Sequence, residues 1–486
     1  MSRLGDDEPL ICSCCVEEAF LSKEIAAYGR EEECSYCDRV EKCFKIKEMA
    51  ERIEKVFDEH YVRSSDEPSP YQSMLIEKRN YAWEPDGEII VDVIRNSAEI
   101  PEEAAEDIQK LLEEKFFDPD SAKIGEKTEF SSDLYYHEAK IDAAQWRYEW
   151  GQLEHSLELE SRFFNSSALD LLKQIFENVE CLSSEDGRSL IVDVGPGTEL
   201  TEIFRARAIQ TNEELEKVLA RPEKGLGPPP PDCARAGRMN ARGISVFYGS
   251  NSPEVALAEV RPPINCQVAI ARFEILRRLR LLDLTAMETV TTSGSIFDPN
   301  SKVHFERVAF LQKLSEIITW PIMPNDEASG YLVTQAITDF LAMENEPPLD
   351  GILFPSVQRK GTAFNIVLFH KAAQVQNLEL PEGIRISVTL FERTYDGSDF
   401  SYSVAEVLPF KDETPSEEEP HGLIPLVYPP AGDELYSQTG GLRKDTLRID
   451  LESVNVHIVK SVEIETMNFT VTRDRRNEPD PSCTVL

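Results

Sequence analysis

The first 180 residues have the periodicity of amphipathic helices. Apolar residues recur at spacings of three and four, which places them on one face of a helix. Helices are predicted at residues 46–60, 101–117 and 133–180. The last is either one long helix or two in tandem, with Trp146 and Trp150 on one face and Phe163 and Phe164 continuing it. The pattern therefore predicts a helical domain in the front of the chain.

Near residue 190 the pattern changes to short apolar runs separated by turn residues, which is typical of strands. Strands are predicted at residues 189–194, 202–208, 244–249, 267–274, 279–284, 350–355, 364–369, 384–392, 446–450 and 454–464. Helices are predicted among them at residues 253–260, 303–318 and 329–343. There are too few regular βαβ units for a doubly wound sheet, so the predicted class is α+β.

Length and charge narrow the classes of function. A chain of 486 residues suggests about three domains. It carries 89 acidic and 51 basic side chains, a formal charge of −38, which disfavours nucleic acid and anionic membrane surfaces as partners. There is no run of about 18 apolar residues that could span a membrane. The first residues are polar and acidic, unlike a signal peptide, so a cytoplasmic location is expected.

Six of the ten cysteines lie in the first 43 residues, and in such a chain this clustering indicates metal binding. Two CxxC turns separated by 18 residues can hold one tetrahedral structural zinc ion. The predicted ligands are Cys12, Cys15, Cys34 and Cys37. Cys14 is an alternative to Cys12 or Cys15, and Cys43 is a spare thiol or an alternative ligand. The competing interpretation is a set of reduced, metal-free cysteines.

Residues 221–261 carry six basic and four acidic side chains, a local excess of positive charge in an acidic chain. This excess favours a small anionic ligand. Arg238 lies in a glycine-containing loop, from which its guanidinium can bind a phosphate group with two hydrogen bonds. A solvated surface arginine is the more ordinary interpretation of such a residue.

Tyr248 and Glu259 follow Arg238 in this segment. Tyr248 lies near the end of a predicted strand, where a core or edge tyrosine is the common case. Ser252 and Pro253 predict the start of a helix on which Glu259 shares a face with apolar residues. A carboxylate there is expected to be partly buried, either for a functional reason or in a salt bridge, for instance with Arg205.

The order of five motifs resembles the RES domain over roughly residues 200–372. These motifs are FRAR at 204–207, AGRMN at 236–240, VFYGS at 246–250, ALAE at 256–259 and FPS at 354–356. The resemblance implies an ADP-ribosyltransferase-like fold with a mixed β-sheet and the activity of a bacterial toxin that consumes NAD. Many members have Gly-Gly-Arg-Trp where this chain has Ala236-Gly237-Arg238-Met239.

The resemblance also implies roles for individual residues. Arg238 and Tyr248 match the NAD-binding Arg and Tyr of the family, and Arg205 matches the basic residue of its first strand. Glu259 matches the catalytic Glu and Ser356 the Ser, so the implied catalytic residues are Glu259, Arg238, Tyr248 and Ser356. Gln335 and Asn365 are further candidates for lining the NAD pocket. In this interpretation Glu259 stabilises the positive charge that develops on the ribose when nicotinamide leaves, and Ser356 hydrogen-bonds the nicotinamide amide or the ribose.

The region before the RES-like part resembles, more loosely, the helical HEPN-type domain. Its arginine and histidine spacing does not match the ribonuclease motif of that group, so regulation or assembly is expected. The predicted organisation is a Cys-rich head at 1–45, a helical domain at 46–185, a RES-like domain at 186–380 and an acidic extension at 381–486 with a charged loop at 411–420. Homodimerisation through Trp146, Trp150, Phe163 and Phe164 of the helical domain is predicted, and the competing interpretation is that these residues form a purely intramolecular core. A regulatory protein partner is left open.

Three functions remain open from the sequence. The first is NAD consumption, by hydrolysis or phosphorolysis. The second is ADP-ribosyl transfer to a macromolecule. Many transferases that modify arginine carry a second carboxylate two residues before the catalytic one, and here that position is Leu257. The third is a binding module with an inactive pocket.

Overall fold

A computed structural model gives the fold of residues 8–408 and 443–471, apart from residues 66, 70, 71, 75–82, 84, 124, 126, 293, 321–329, 359–361, 395, 396, 464 and 465. The charged loop predicted at residues 411–420 lies outside the described residues. The described residues form both α-helices and β-strands, which agrees with the predicted α+β class. Among the described helices, none combines the length and the apolar character needed to cross a bilayer.

The elements before residue 200 include seven described helices and eight strands. The helices are α1 (Ala19–Tyr28), α2 (Ile46–His60), α3 (Ile90–Ala98), α4 (Glu102–Phe116), α5 (Pro119–Lys123), α6 (Ala144–Leu159) and α7 (Ser166–Phe176). The strands are β1 (Leu10–Cys12), β2 (Arg30–Glu33), β3 (Val40–Lys45), β4 (Tyr61–Arg63), β5 (Glu88–Ile89), β6 (Tyr135–Glu138), β7 (Ser183–Ser184) and β8 (Ile191–Val194).

The described elements after residue 200 are richer in strands. The helices are α8 (Asn212–Ala220), α9 (Pro222–Gly225), α10 (Pro253–Glu259), α11 (Leu284–Met287), α12 (Ser301–Thr319) and α13 (Leu332–Met343). The strands are β9 (Glu202–Ile209), β10 (Phe247–Ser250), β11 (Gln267–Ile275), β12 (Leu279–Asp283), β13 (Val290–Thr291), β14 (Gly351–Pro355), β15 (Phe364–Leu368), β16 (Arg385–Thr394), β17 (Gly397–Val407), β18 (Leu447–Ile449) and β19 (Asn455–Ile458).

The chain divides into two compact units, each built from three stretches. The first unit takes its residues from 1–193, 235–244 and 279–355, and the second from 194–234, 245–278 and 356–486.

In the first unit, the N-terminal region contains small sheets as well as the predicted helices. Strand β3 pairs with β1 and β2, and β6 pairs with β4 and β5, all antiparallel. Ile11, Leu21 and Ile25 are fully buried in one cluster with Ile46 and Met49 of α2. The Cys-rich head and α2 therefore share a hydrophobic core.

The aromatic stripe predicted for residues 133–180 is only half correct. Trp146 and Trp150 pack against Phe310 of α12 and are 8% and 4% exposed, so they belong to the core of this unit. Phe163 and Phe164 do not continue the stripe, because they are 90% and 98% exposed. The reason is local: the side chain of Asn165 caps a new helix, α7, so the chain turns between α6 and α7.

The second unit is built on an antiparallel sheet in which the strands follow the order β18, β11, β9, β10, β15, with β19 also paired to β11. Phe247 and Phe273 of this sheet are fully buried and meet edge to face. Strands β16 and β17 form a separate antiparallel hairpin. Helix α10 follows β10 directly, which determines where Glu259 lies.

Candidate functional site

Helix α10 ends at Glu259 and begins as the sequence predicts. Ser252 is its N-cap, and the serine side chain accepts a hydrogen bond from the backbone N–H of Val255 at 3.3 Å. Pro253 occupies the first turn. A backbone N–H at this position would have no acceptor within the helix, so the N–H that proline lacks costs no hydrogen bond. Val255 and Ala256 are buried and Glu259 is half-buried. The expected partial burial of the carboxylate is confirmed.

Two buried side chains donate to the same oxygen of Glu259. The hydroxyl of Ser356 donates to Oε1 at 2.6 Å, and the amide Nδ2 of Asn365 donates to Oε1 at 2.8 Å. Ser356 is 8% exposed and Asn365 is 5% exposed. No hydrogen bond or ion pair within the described chain engages Oε2. The partners of Glu259 are therefore neutral donors, not the salt bridge with Arg205 that was the alternative.

A third buried polar residue, Ser250, extends this network. Its hydroxyl donates to Oδ1 of Asn365 at 2.7 Å, and Ser250 is 2% exposed. The two residues lie opposite each other on β10 and β15. A role for Ser250 could not be predicted from the sequence. Its only signal was its place in the VFYGS motif, since the contact joins residues 115 positions apart.

Tyr248 lies on the same face of the sheet as this network. It is two residues before Ser250 on β10 and opposite Val367 of β15. Side chains of a strand alternate between its two faces, so positions two apart share a face. Tyr248 is half-buried.

Arg205 lies on the opposite face. Ser250 pairs with Phe204 of β9, so the next residue of β9 projects to the other side of the sheet. The guanidinium carbon of Arg205 is 4.8 Å from the centre of the Phe247 ring, and its buried Nη1 atom has no hydrogen-bond partner in the part of the chain that the structure describes. Burial, and then the charge of Arg207, lower the pKa of this guanidinium to about 10, whereas Tyr248 raises it. The described contacts do not join Arg205 to Glu259.

Arg238 and Gln335 belong to the first unit. The Arg238 guanidinium donates to the carbonyl of Ile318 in the last turn of α12, and the Arg238 carbonyl accepts from the Thr334 hydroxyl at 2.6 Å. The Gln335 amide donates to the carbonyls of Gly237 and Asn240 at 2.9 and 3.0 Å. In this structure Gln335 therefore holds the loop that carries Arg238.

The four predicted zinc ligands come together in the Cys-rich head. The sulfur atoms of Cys12, Cys15, Cys34 and Cys37 all lie within 4.8 Å of one another. The separation is 3.5 Å between Cys12 and Cys37, and 3.8 Å between Cys15 and Cys34. Four sulfur atoms about 2.3 Å from a tetrahedral zinc ion lie about 3.8 Å apart. The cluster therefore fits zinc.

The two alternative ligands, Cys14 and Cys43, are not part of this cluster. Cys14 is exposed and lies outside the cluster. Cys43 is buried, but its sulfur contacts the carbonyls of Glu32 and Glu41, both at 3.4 Å. Burial raises the pKa of Cys12 to about 12, whereas a backbone hydrogen bond at Arg39 lowers the pKa of Cys37.

The carboxylate network, Tyr248 and the Arg238 loop all fall in one stretch of the sequence, between residues 236 and 365. Residues 205–390 match the RES domain. The RES match begins at Arg205 and contains all seven of the residues predicted for NAD binding and catalysis, together with Ser250. No curated protein and no solved structure matches the chain. The resemblance to the RES domain is thus confirmed, while the HEPN-type resemblance of residues 46–185 stays a prediction.

Proposed function

We propose that the chain is an NAD-consuming enzyme of the RES type, which cleaves the bond between nicotinamide and ribose. The RES match supports the substrate class, because RES proteins are associated with NAD-related toxin and effector functions. The observation that carries the proposal is the Glu259 carboxylate. Two buried donors hold its Oε1, and Oε2 has no partner in the described chain. A carboxylate held in this way is suited to stabilising a cation.

The proposed chemistry needs one carboxylate close to the ribose. When the bond between C1 of the ribose and the nicotinamide nitrogen breaks, the electron pair leaves with nicotinamide and positive charge develops on the ribose. A fixed carboxylate stabilises this charge without having to reorganise, which is the largest contribution in many enzymes. Water or phosphate then adds to C1 and loses a proton. Glu259 is the catalytic residue in this proposal.

Other residues would bind NAD. Arg238 is assigned to the pyrophosphate, because a guanidinium offers several donors in a fixed plane. Tyr248 is assigned to stacking on nicotinamide, which its position on the face of Ser250 and Asn365 supports. Ser356 and Asn365 would hold Glu259, and Gln335 would hold the Arg238 loop. Arg205 is left out of this pocket because the register places it on the opposite face of the sheet.

The Cys-rich head would hold one zinc ion through Cys12, Cys15, Cys34 and Cys37. Four thiolates leave no open coordination position, so the metal would stabilise the head and take no part in the reaction. The helical domain predicted at residues 46–185 would act in regulation or assembly. In a bacterial cytoplasm, unregulated NAD consumption would make the protein a toxin or defence effector.

The products of an incubation with NAD test this proposal. Purified protein is incubated with NAD in the presence of phosphate, and nicotinamide and ribosyl products are followed. Free ADP-ribose indicates a hydrolase, and a phosphorylated ADP-ribose indicates a phosphorylase. ADP-ribose found only on protein indicates a transferase. An unchanged NAD concentration would contradict an enzymatic function and indicate a binding module with an inactive pocket.

A further inference from the structure

We propose that Ser250 and Asn365 are positioning residues for Glu259, and that they determine which of its two carboxylate oxygens faces the substrate. This inference rests on the proposed function, in which Glu259 is the catalytic carboxylate. It assigns a role to Ser250 and changes that of Asn365 from lining the pocket to orienting the carboxylate.

The chemistry of the side chains gives the network one direction. An ionised carboxylate can only accept hydrogen bonds, so the group that meets Oε1 of Glu259 must be the amide NH₂ of Asn365. The amide oxygen must then point the other way, towards Ser250. A hydroxyl can donate to that oxygen, and Ser250 does so at 2.7 Å. The bond from Ser250 and the bond to Glu259 therefore require the same orientation of the Asn365 amide.

Burial and register hold this arrangement. Ser250 and Asn365 are 2% and 5% exposed, so water does not compete for their polar atoms. They also lie directly opposite each other across β10 and β15, which keeps their side chains adjacent. An amide oxygen that lost Ser250 would be buried without a donor, which is unfavourable. Asn365 would then lose its fixed orientation.

The consequence is an asymmetric carboxylate. The bonds from Asn365 and Ser356 both end on Oε1, at 2.8 and 2.6 Å. In the proposed reaction Oε2 is therefore the oxygen that faces the developing ribosyl cation. Because the preorganised orientation matters most in the transition state, its loss should reduce kcat more than it changes KM.

A double-mutant cycle tests whether Ser250 acts through Asn365. Ser250→Ala should lower kcat by about 3- to 10-fold and leave KM within about twofold, as expected for one buried hydrogen bond. In an Asn365→Ala background the same change should have almost no further effect on kcat. Ser245→Ala is the matched control: Ser245 is 4% exposed and, among the described residues, its hydroxyl bonds only the Pro229 carbonyl. This control should keep the wild-type kcat.

Asn365→Asp adds a readout that a purely structural role would not change. The introduced carboxyl group would lie beside Glu259, and two adjacent carboxyl groups raise the pKa of one of them. While protonated, it can donate to Oε1 as the amide does. When it ionises, it repels Glu259. The kcat of this variant should therefore fall as pH rises through the raised pKa, and wild type should show no such fall in the same range.

The outcomes separate this inference from the proposed function. If wild type releases no nicotinamide, the proposed function fails. If wild type is active but Ser250→Ala keeps the wild-type kcat, or lowers it equally in both backgrounds, the positioning role is overturned. A pH profile of Asn365→Asp that is parallel to wild type also overturns it, and this test remains available if Ser250→Ala does not fold.

Discussion

Replacing one thiolate of the cysteine cluster should remove the metal and unfold the head. Cys34→Ser is the most informative change, because Cys34 is 1% exposed and its sulfur is 3.8 Å from that of Cys15. Structural zinc contributes about 10–16 kcal/mol of apparent binding energy in small zinc domains. This binding energy is comparable with the free energy of unfolding of a whole domain, about 5–15 kcal/mol. The remaining three thiolates should not keep the head folded at submicromolar free zinc.

Elemental analysis and limited proteolysis would measure this effect. Wild type purified without chelators should contain one zinc ion per chain, and Cys34→Ser should contain almost none and be cleaved in its first 45 residues. Cys14→Ser is the matched control, because Cys14 is exposed and lies outside the cluster. Cys43→Ser should likewise keep its zinc. A wild-type protein without zinc, or equal zinc loss in Cys14→Ser and Cys34→Ser, would contradict the assignment of these four cysteines as zinc ligands.

Two further predictions concern substrate binding and assembly. Arg238→Ala should raise KM for NAD by about 10- to 100-fold, because it removes a charged phosphate partner present in ground and transition states. Steady-state kinetics should show a much smaller change in KM for Arg205→Met, and equal increases would return Arg205 to the NAD site. Of the four aromatic residues assigned to the predicted homodimer, Phe163 and Phe164 are 90% and 98% exposed, so we expect these two to form its contact. Light scattering should then show a dimer for wild type and a monomer for a double Phe163→Ser, Phe164→Ser variant; a monomeric wild type at micromolar concentrations contradicts the dimer.

Features set by a few neighbouring residues could be predicted from the sequence. The CxxC turns hold their cysteines close together by local geometry, so the spacing predicted a cluster of four sulfur atoms in the Cys-rich head. Ser252 and Pro253 similarly determined the start of α10, and with it the half-buried position of Glu259. Choosing Cys12 over Cys14 needed the structure, because both could serve one CxxC-like turn.

Features that depend on distant pairing could not be predicted. The network on Glu259 needs β10 and β15 side by side, which brings together residues more than 100 positions apart. The same register separates Arg205 from that network, although its sequence motif gave no sign of it. Helical periodicity failed at Phe163 for a different reason, since one helix ends at Leu159 and the side chain of Asn165 caps the start of the next.

Nicotinamide release by wild type and Glu259→Gln is the most direct test of the proposed function. Glutamine keeps the shape of the side chain but removes the negative charge. The proposed function requires that wild type releases nicotinamide from NAD. It also requires that Glu259→Gln still binds NAD but turns it over about 10²- to 10³-fold more slowly, the loss expected for one transition-state partner. No release by zinc-replete wild type, or equal turnover by Glu259→Gln, would contradict it.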